Sequence, residues 1–129
     1  MAPDDPRLTR LAAICAALPE VVVTRSGRHA SFRVRGRTVA YFLDDHRGDE
    51  GIVGVVCKAA PGWADALVDA EPGRFYRPAY LAHRGWVGLR LDAGPVDWEE
   101  VEDLVTESYR LVAPRRLAAL VDASEPEPR

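Results

Sequence analysis

Lysine is almost missing from this chain. Lys58 is its only one, so nearly all of the basic charge is carried by arginine. A G+C-rich genome produces that bias, and arginine richness by itself therefore says nothing about ligands. Cysteine is scarce as well. Cys15 and Cys57 are far apart and match no zinc or redox spacing; they fall on an apolar helix face and in an apolar strand run, where cysteine acts as a small buried hydrophobe. No apolar run approaches the ~20 residues needed to span a bilayer. The opening "MAPDDPR" has acids and prolines where a secretory signal has a basic end and an apolar core. These absences point to a soluble, cytoplasmic protein without membrane contact. Catalytic signatures are missing too: there is no Gly-x-Ser-x-Gly elbow, phosphate-binding glycine loop, dinucleotide fingerprint or paired-histidine zinc motif. No catalytic residue, cofactor or metal is assigned, and the chain is not read as an enzyme.

What is present fits one globular domain. The chain has 129 residues, 47% of them hydrophobic and 29% charged, with a formal net charge of -3. A chain of this size buries roughly two-thirds of its unfolded surface and folds without staples. A single domain is expected over residues 1–121. The last stretch, "DASEPEPR" (122–129), has the composition of a flexible tail.

Asp5-Pro6 suits an N-cap and first-turn proline, and Leu8, Leu11, Ala12, Cys15 and Leu18 recur at helical spacing up to Pro19. "VVVTR" (21–25) is strand-like. "ASFRVRGRTVAYFL" (30–43) then alternates with a period of two through a turn at Gly36. The polar "FLDDHRGDEG" leads to an apolar strand, "IVGVVCKA" (52–59). "APGWADALVDAEPG" (60–73) reads as a short helix with Trp63, Leu67 and Val68 on its inner side. "FYRPAYLAHRGWVGLRLD" supplies two strand-like pieces, the first placed by Pro78 at an edge or in an irregular approach. Asp97 and Glu100 make a capping-box pattern before a long helix faced by Val101, Leu104, Val105, Ser108, Leu111 and Val112. "RRLAALV" adds a further turn or two. The expected fold is an α+β two-layer sandwich: a mainly antiparallel sheet of five to six strands, with the N-terminal and long C-terminal helices on one face. The other face is left for solvent or a partner.

"FRVRGRTVAYFLDD", "PAYLAHRGWVGLRLD" and the helix "VEDLVTESYRLVAPRRL", with Ser108-Tyr109, resemble the MmcQ/YjbR family of small bacterial proteins over Leu8 to about Leu120. The resemblance implies a CyaY-like (frataxin-like) sandwich and the family's description as DNA-binding proteins. It brings no catalytic residues, and frataxin iron handling is not inherited from shape.

Two basic groups are candidates. Between Thr24 and Ala40 lie five arginines and no acid, a formal +5 segment in an acidic chain. If Phe32 and Val34 point inward, Arg33 and Arg35 face outward, with Arg37 just past the turn and Arg28 near by. Such a basic wing would contact DNA phosphates weakly and without a demand for sequence. The other reading is a solvated strand face whose arginines guard an edge and meet helix acids, on a module that binds a protein or a small ligand with its open sheet face. The second group, Arg77, Arg84 and Arg90 with Arg74 and His83, is interleaved with Phe75, Tyr76, Tyr80 and Trp86, a mixture that serves base stacking or a core with an amphipathic rim. Trp86 and Tyr80 are expected in the core. "DDHRGDE" (44–50) lacks calcium-loop spacing, and His29, His46 and His83 have no ligand-spaced partner. Ser108 is expected to return its hydroxyl to a carbonyl one turn earlier, while the Tyr109 ring packs and its hydroxyl finds a polar partner.

Overall fold

A computed structural model of the chain describes residues 5–44 and 52–124. The first helix, α1, is Pro6–Ala16; the Asp5 carboxylate accepts from the Arg7 backbone N–H at its start, and Leu8, Leu11 and Cys15 form its buried stripe. Then come β1 (Val22–Ser26), β2 (His29–Val34), β3 (Arg37–Asp44) and β4 (Val53–Lys58). A second helix, α2 (Trp63–Ala70), precedes the two-residue β5 (Phe75–Tyr76), a 3-10 turn (Ala82–Arg84) and β6 (Trp86–Arg90). The long helix α3 (Trp98–Val112) is capped by the Asp97 side chain, which accepts from the Glu99 and Glu100 backbone N–H groups. Pro114 separates it from α4 (Arg115–Ser124). Residues 125–129 of the expected tail, and the acidic loop after Asp44 with its His46, lie outside the described residues.

The six strands form one antiparallel sheet in the order β1-β2-β3-β4-β6-β5. α3 packs across β3 and β4 and against α1, and α4 packs on α3, so one face of the sheet is covered by helices. Alternation puts Phe32, Val34, Phe42, Val55, Cys57, Val87 and Leu89 beneath them, all buried. This is the expected α+β architecture. β1 is the edge strand, and every one of its residues is exposed.

Three residues depart from expectation, each for a local reason. Trp63 begins α2 right after Gly62 and is 60% exposed, leaving Leu67 and Val68 to pack inward. Tyr80 sits in the loop between β5 and β6 with a left-handed backbone and is 91% exposed. Leu111, on the last turn of α3, is exposed. Trp86 is buried, but on the sheet face opposite the helices, beside Tyr41, whose ring centroid is 5.8 Å away. Tyr76 completes this aromatic cover by lying over Gly88 and Gly54, where a Cβ would meet its ring or hydroxyl within 3 Å.

Candidate functional site

The arginine hairpin does not present three cations on one face. Phe32 and Val34 are buried and Arg33 is exposed on the opposite side, as alternation requires. Arg35 and Gly36 are the two turn residues, with φ of 50° and 78°. A turn with both central residues left-handed matches the twist of a tight hairpin, and it takes Arg35 out of the strand pattern. The Arg35 guanidinium grips Glu20 through two bonds of 2.7 and 3.0 Å. This hydrogen-bonded pairing raises the Arg35 pKa and lowers that of Glu20. Arg37 is paired across the ladder with Val34 and so starts on the helix side, where it donates to the Val112 carbonyl at the end of α3. Arg28, in the β1–β2 turn, and Arg33 are exposed, and among the described residues no carboxylate pairs with either.

The second basic group is also divided. Arg77 is held by Asp65 at 3.1 Å and Asp69 at 3.6 Å, both on α2. Arg90 pairs with Asp92 at 3.1 Å, and Arg74 bridges Glu71 and Glu100. Arg84 is exposed on the 3-10 turn, and among the described residues it has no carboxylate partner. Phe75 belongs to the core, and His83 is exposed beside Arg84.

The structure brings together a set that periodicity did not. Arg37, Lys58 and Arg84 come from the start of β3, the end of β4 and the 3-10 turn, and they line one pocket of about 340 Å³ with Thr38, Tyr41 and Trp86. The lining contains no carboxylate and no histidine. Arg33 is the cross-strand partner of Thr38, which extends the basic character along the same end of the sheet. Lys58 carries no periodic signal because it terminates an apolar strand. Its signal was its singularity: the one lysine, placed where the hydrophobic run stops.

Helix α3 fixes this end of the sheet. An extra residue, Val39, bulges from β3 where the β2 register shifts, so Phe32 faces Ala40 but Arg33 faces Thr38. The Ser108 hydroxyl donates to the Val39 carbonyl at 2.6 Å and accepts from the Lys58 backbone N–H at 3.0 Å. The expected bond to a carbonyl within the helix is replaced because the bulge leaves backbone groups that a buried hydroxyl must satisfy. Tyr109 behaves as expected: its ring is buried, and its hydroxyl donates to the Pro19 carbonyl at 2.8 Å.

A more apolar groove of about 450 Å³ shares Lys58 with the basic pocket; it lies between α2 and α3, walled by Trp63, Leu67, Phe75 and Leu104 and rimmed by Glu100, Asp103 and Glu107. Among the described residues, no group of three or more His, Cys, Asp or Glu is arranged to hold a metal. Burial pushes the Cys15 thiol up to about 12 and that of Cys57 higher still. No helix among the described residues is long and apolar enough to cross a membrane.

Fold and surface together define a class: a small α+β protein with a six-stranded antiparallel sheet, helices on one side, and a pocket at one end of the sheet lined by Arg37, Lys58 and Arg84. The YjbR family model matches residues 16–111, and the chain belongs to the YjbR family. No curated protein matches it. Among solved structures it is similar to the crystal structure of Deinococcus radiodurans protein DR2400, which carries a DUF419 domain. The two are 22% identical over 89% of this chain and 87% of that one, with a TM-score of 0.68. At that identity the likeness carries the fold.

Proposed function

We propose that this protein binds DNA weakly, chiefly through phosphates, using the protruding β1–β2 hairpin and the basic end of the sheet beside it. The observation that carries the reading is that Arg28 and Arg33 are exposed on a two-stranded ribbon and, among the described residues, have no carboxylate partner. Exposed guanidinium groups on such a ribbon release counterions when they meet a phosphate backbone, which gives affinity without base readout. Arg35 and Arg37 contribute less, since Glu20 neutralises the first and a helix carbonyl engages the second. Arg77 and Arg90, already paired with acids, stand outside the contact set, whereas Arg84 extends it. On this reading the protein is non-catalytic and works in the bacterial cytoplasm. A second reading, a small anionic ligand seated on the sheet face, is favoured by the pocket between Arg37, Lys58 and Arg84.

The test is fluorescence anisotropy of a labelled duplex across a salt series. Each lost phosphate contact changes the slope of log affinity on log salt by about 0.9, so Arg28→Ala/Arg33→Ala should flatten it by roughly 2. Arg77→Ala should leave the slope unchanged. Equal binding by wild type and the double variant would discard the hairpin as a nucleic-acid surface.

A further inference from the structure

We propose that the pocket formed by Arg37, Lys58 and Arg84 binds a phosphomonoester dianion, as a site distinct from the hairpin's contacts with the diester backbone. The argument starts from charge and shape. A backbone diester carries one negative charge and is met well by isolated exposed arginines, as on the β1–β2 hairpin. Three cations converging on one concavity without a carboxylate in its lining exceed what a single diester needs. They match a terminal phosphate, which carries close to two charges at neutral pH and three acceptor oxygens.

Arg37 is held by its guanidinium, and Lys58 and Arg84 leave from defined backbone positions. The Lys58 backbone is pinned by Ser108, so the side chain leaves the sheet from a fixed point. Arg37 is docked on the Val112 carbonyl. That bond offsets the partial negative charge at the C-terminal end of α3, which would otherwise repel an anion, and it leaves further guanidinium N–H donors for a ligand. Arg84 ends a 3-10 turn closed by the left-handed Gly85, and it brings an exposed guanidinium to the rim.

The rest of the lining indicates what carries the phosphate. Tyr41, half-buried, and Trp86 place aromatic surface beside the cations, and Thr38 offers a hydroxyl. A volume of about 340 Å³ lies at the small end of ligand pockets, on the scale of one phosphate with its sugar and base and too small for a duplex. The chemistry is therefore that of a 5′-mononucleotide. It can arrive as a free metabolite or as the phosphorylated end of a strand.

Calorimetric titrations, with the Trp86 indole N–H followed by NMR, test this on the full chain. The probes are thymidine 5′-monophosphate, inorganic phosphate, thymidine and the diester TpT. The monophosphate should bind and shift the Trp86 signal, thymidine should not, and TpT should bind roughly tenfold or more weakly. Affinity for the monophosphate should rise as pH increases through ~6, where the ligand gains its second charge. Arg84→Ala, at an exposed position, should lose roughly tenfold and Arg84→Lys should recover part of it, while Arg77→Ala keeps wild-type affinity. An octathymidylate with a 5′-phosphate, compared with its 5′-hydroxyl form, separates the two sources. Preference for the phosphorylated end assigns a strand terminus, and equal binding of both octamers beside a tightly bound monophosphate assigns a free metabolite. The proposal is overturned if thymidine binds as well as its monophosphate, if no probe moves Trp86, or if Arg84→Ala and Lys58→Ala both keep wild-type affinity. Duplex binding that depends on Arg28 and Arg33 would survive any of those results, so the two ideas fail separately.

Discussion

The Ser108 hydroxyl on α3 donates to the Val39 carbonyl on β3 at 2.6 Å, across the interface between helix and sheet. With the Lys58 N–H as its donor partner, it joins the bulge in β3 to the end of β4 from outside the sheet. The helix thus supplies the bonds that the ladder lacks at the bulge, right beside the basic pocket.

Ser108→Ala should therefore cost more than a typical buried hydroxyl. It strands an acceptor and a donor, each of which costs about 1–3 kcal/mol when buried without a partner. A loss of about 2–4 kcal/mol in urea unfolding, with the denaturant slope unchanged, is expected. Because Lys58 is positioned by the same bond, monophosphate affinity should fall with stability. A loss under about 0.5 kcal/mol would show that water replaces the hydroxyl.

Much of the fold was legible in advance because its determinants are local and periodic. The α1 stripe, the Asp97 cap and the alternation of β2, β3 and β6 each follow from neighbours in sequence. The site was legible only in part. Arg33 obeyed alternation, but Arg35 fell in a two-residue turn and Arg37 was returned to the helix side, because the turn took one residue more than a lone Gly36. The pairing of Arg77 with α2 and the convergence of Arg37, Lys58 and Arg84 depend on segments distant in sequence, which no period encodes. Tyr80 misled because an aromatic among apolar residues reads as core, whereas loop geometry decided its exposure.

Gly88→Ala should displace Tyr76. A Cβ there would lie 2.3 Å from the Tyr76 ring, in a cross-strand pair where the ring covers the glycine. Overpacking of this kind costs about 1–3 kcal/mol. The same substitution in a Tyr76→Ala background should cost much less, and that coupling, read from a double-mutant cycle, checks the contact.

Acid should destabilise the protein partly through Asp92. Burial alone would raise its pKa, but hydrogen bonds from Arg90 and from the Val53 backbone N–H outweigh that and hold it below the ordinary carboxylate value. A depressed folded pKa stabilises above the unfolded value, near 4, and the benefit is lost as pH falls through the folded one. Asp92→Asn should lower stability at pH 7 and flatten its decline below about pH 4. Parallel curves for variant and wild type would remove Asp92 from the account.

Both thiols should be silent in the native protein. Cys15 and Cys57 are buried, and burial raises both pKa values, so little thiolate forms near neutral pH. An aromatic disulfide reagent should label neither in buffer and both in denaturant, with a native-state rate set by unfolding. Fast labelling of either cysteine at pH 8 would contradict the packing of α1 and β4.

Glu20 restrains the hairpin's charge, and removing that restraint should strengthen DNA binding. Glu20 and Arg35 both have left-handed backbones and face each other in an exposed bidentate pair. Exposed pairs add little stability, so Glu20→Gln should leave the melting temperature nearly unchanged. It does free Arg35, in the β2–β3 turn two residues after exposed Arg33 at the end of β2. One more phosphate contact should steepen the salt slope by about 0.9 and raise low-salt duplex affinity. Arg35→Ala in the Glu20→Gln background should reverse the gain, which distinguishes a new contact from the loss of one negative charge. If the gain persists without Arg35, Glu20 acts only through the general field, and the turn lies outside the DNA contact.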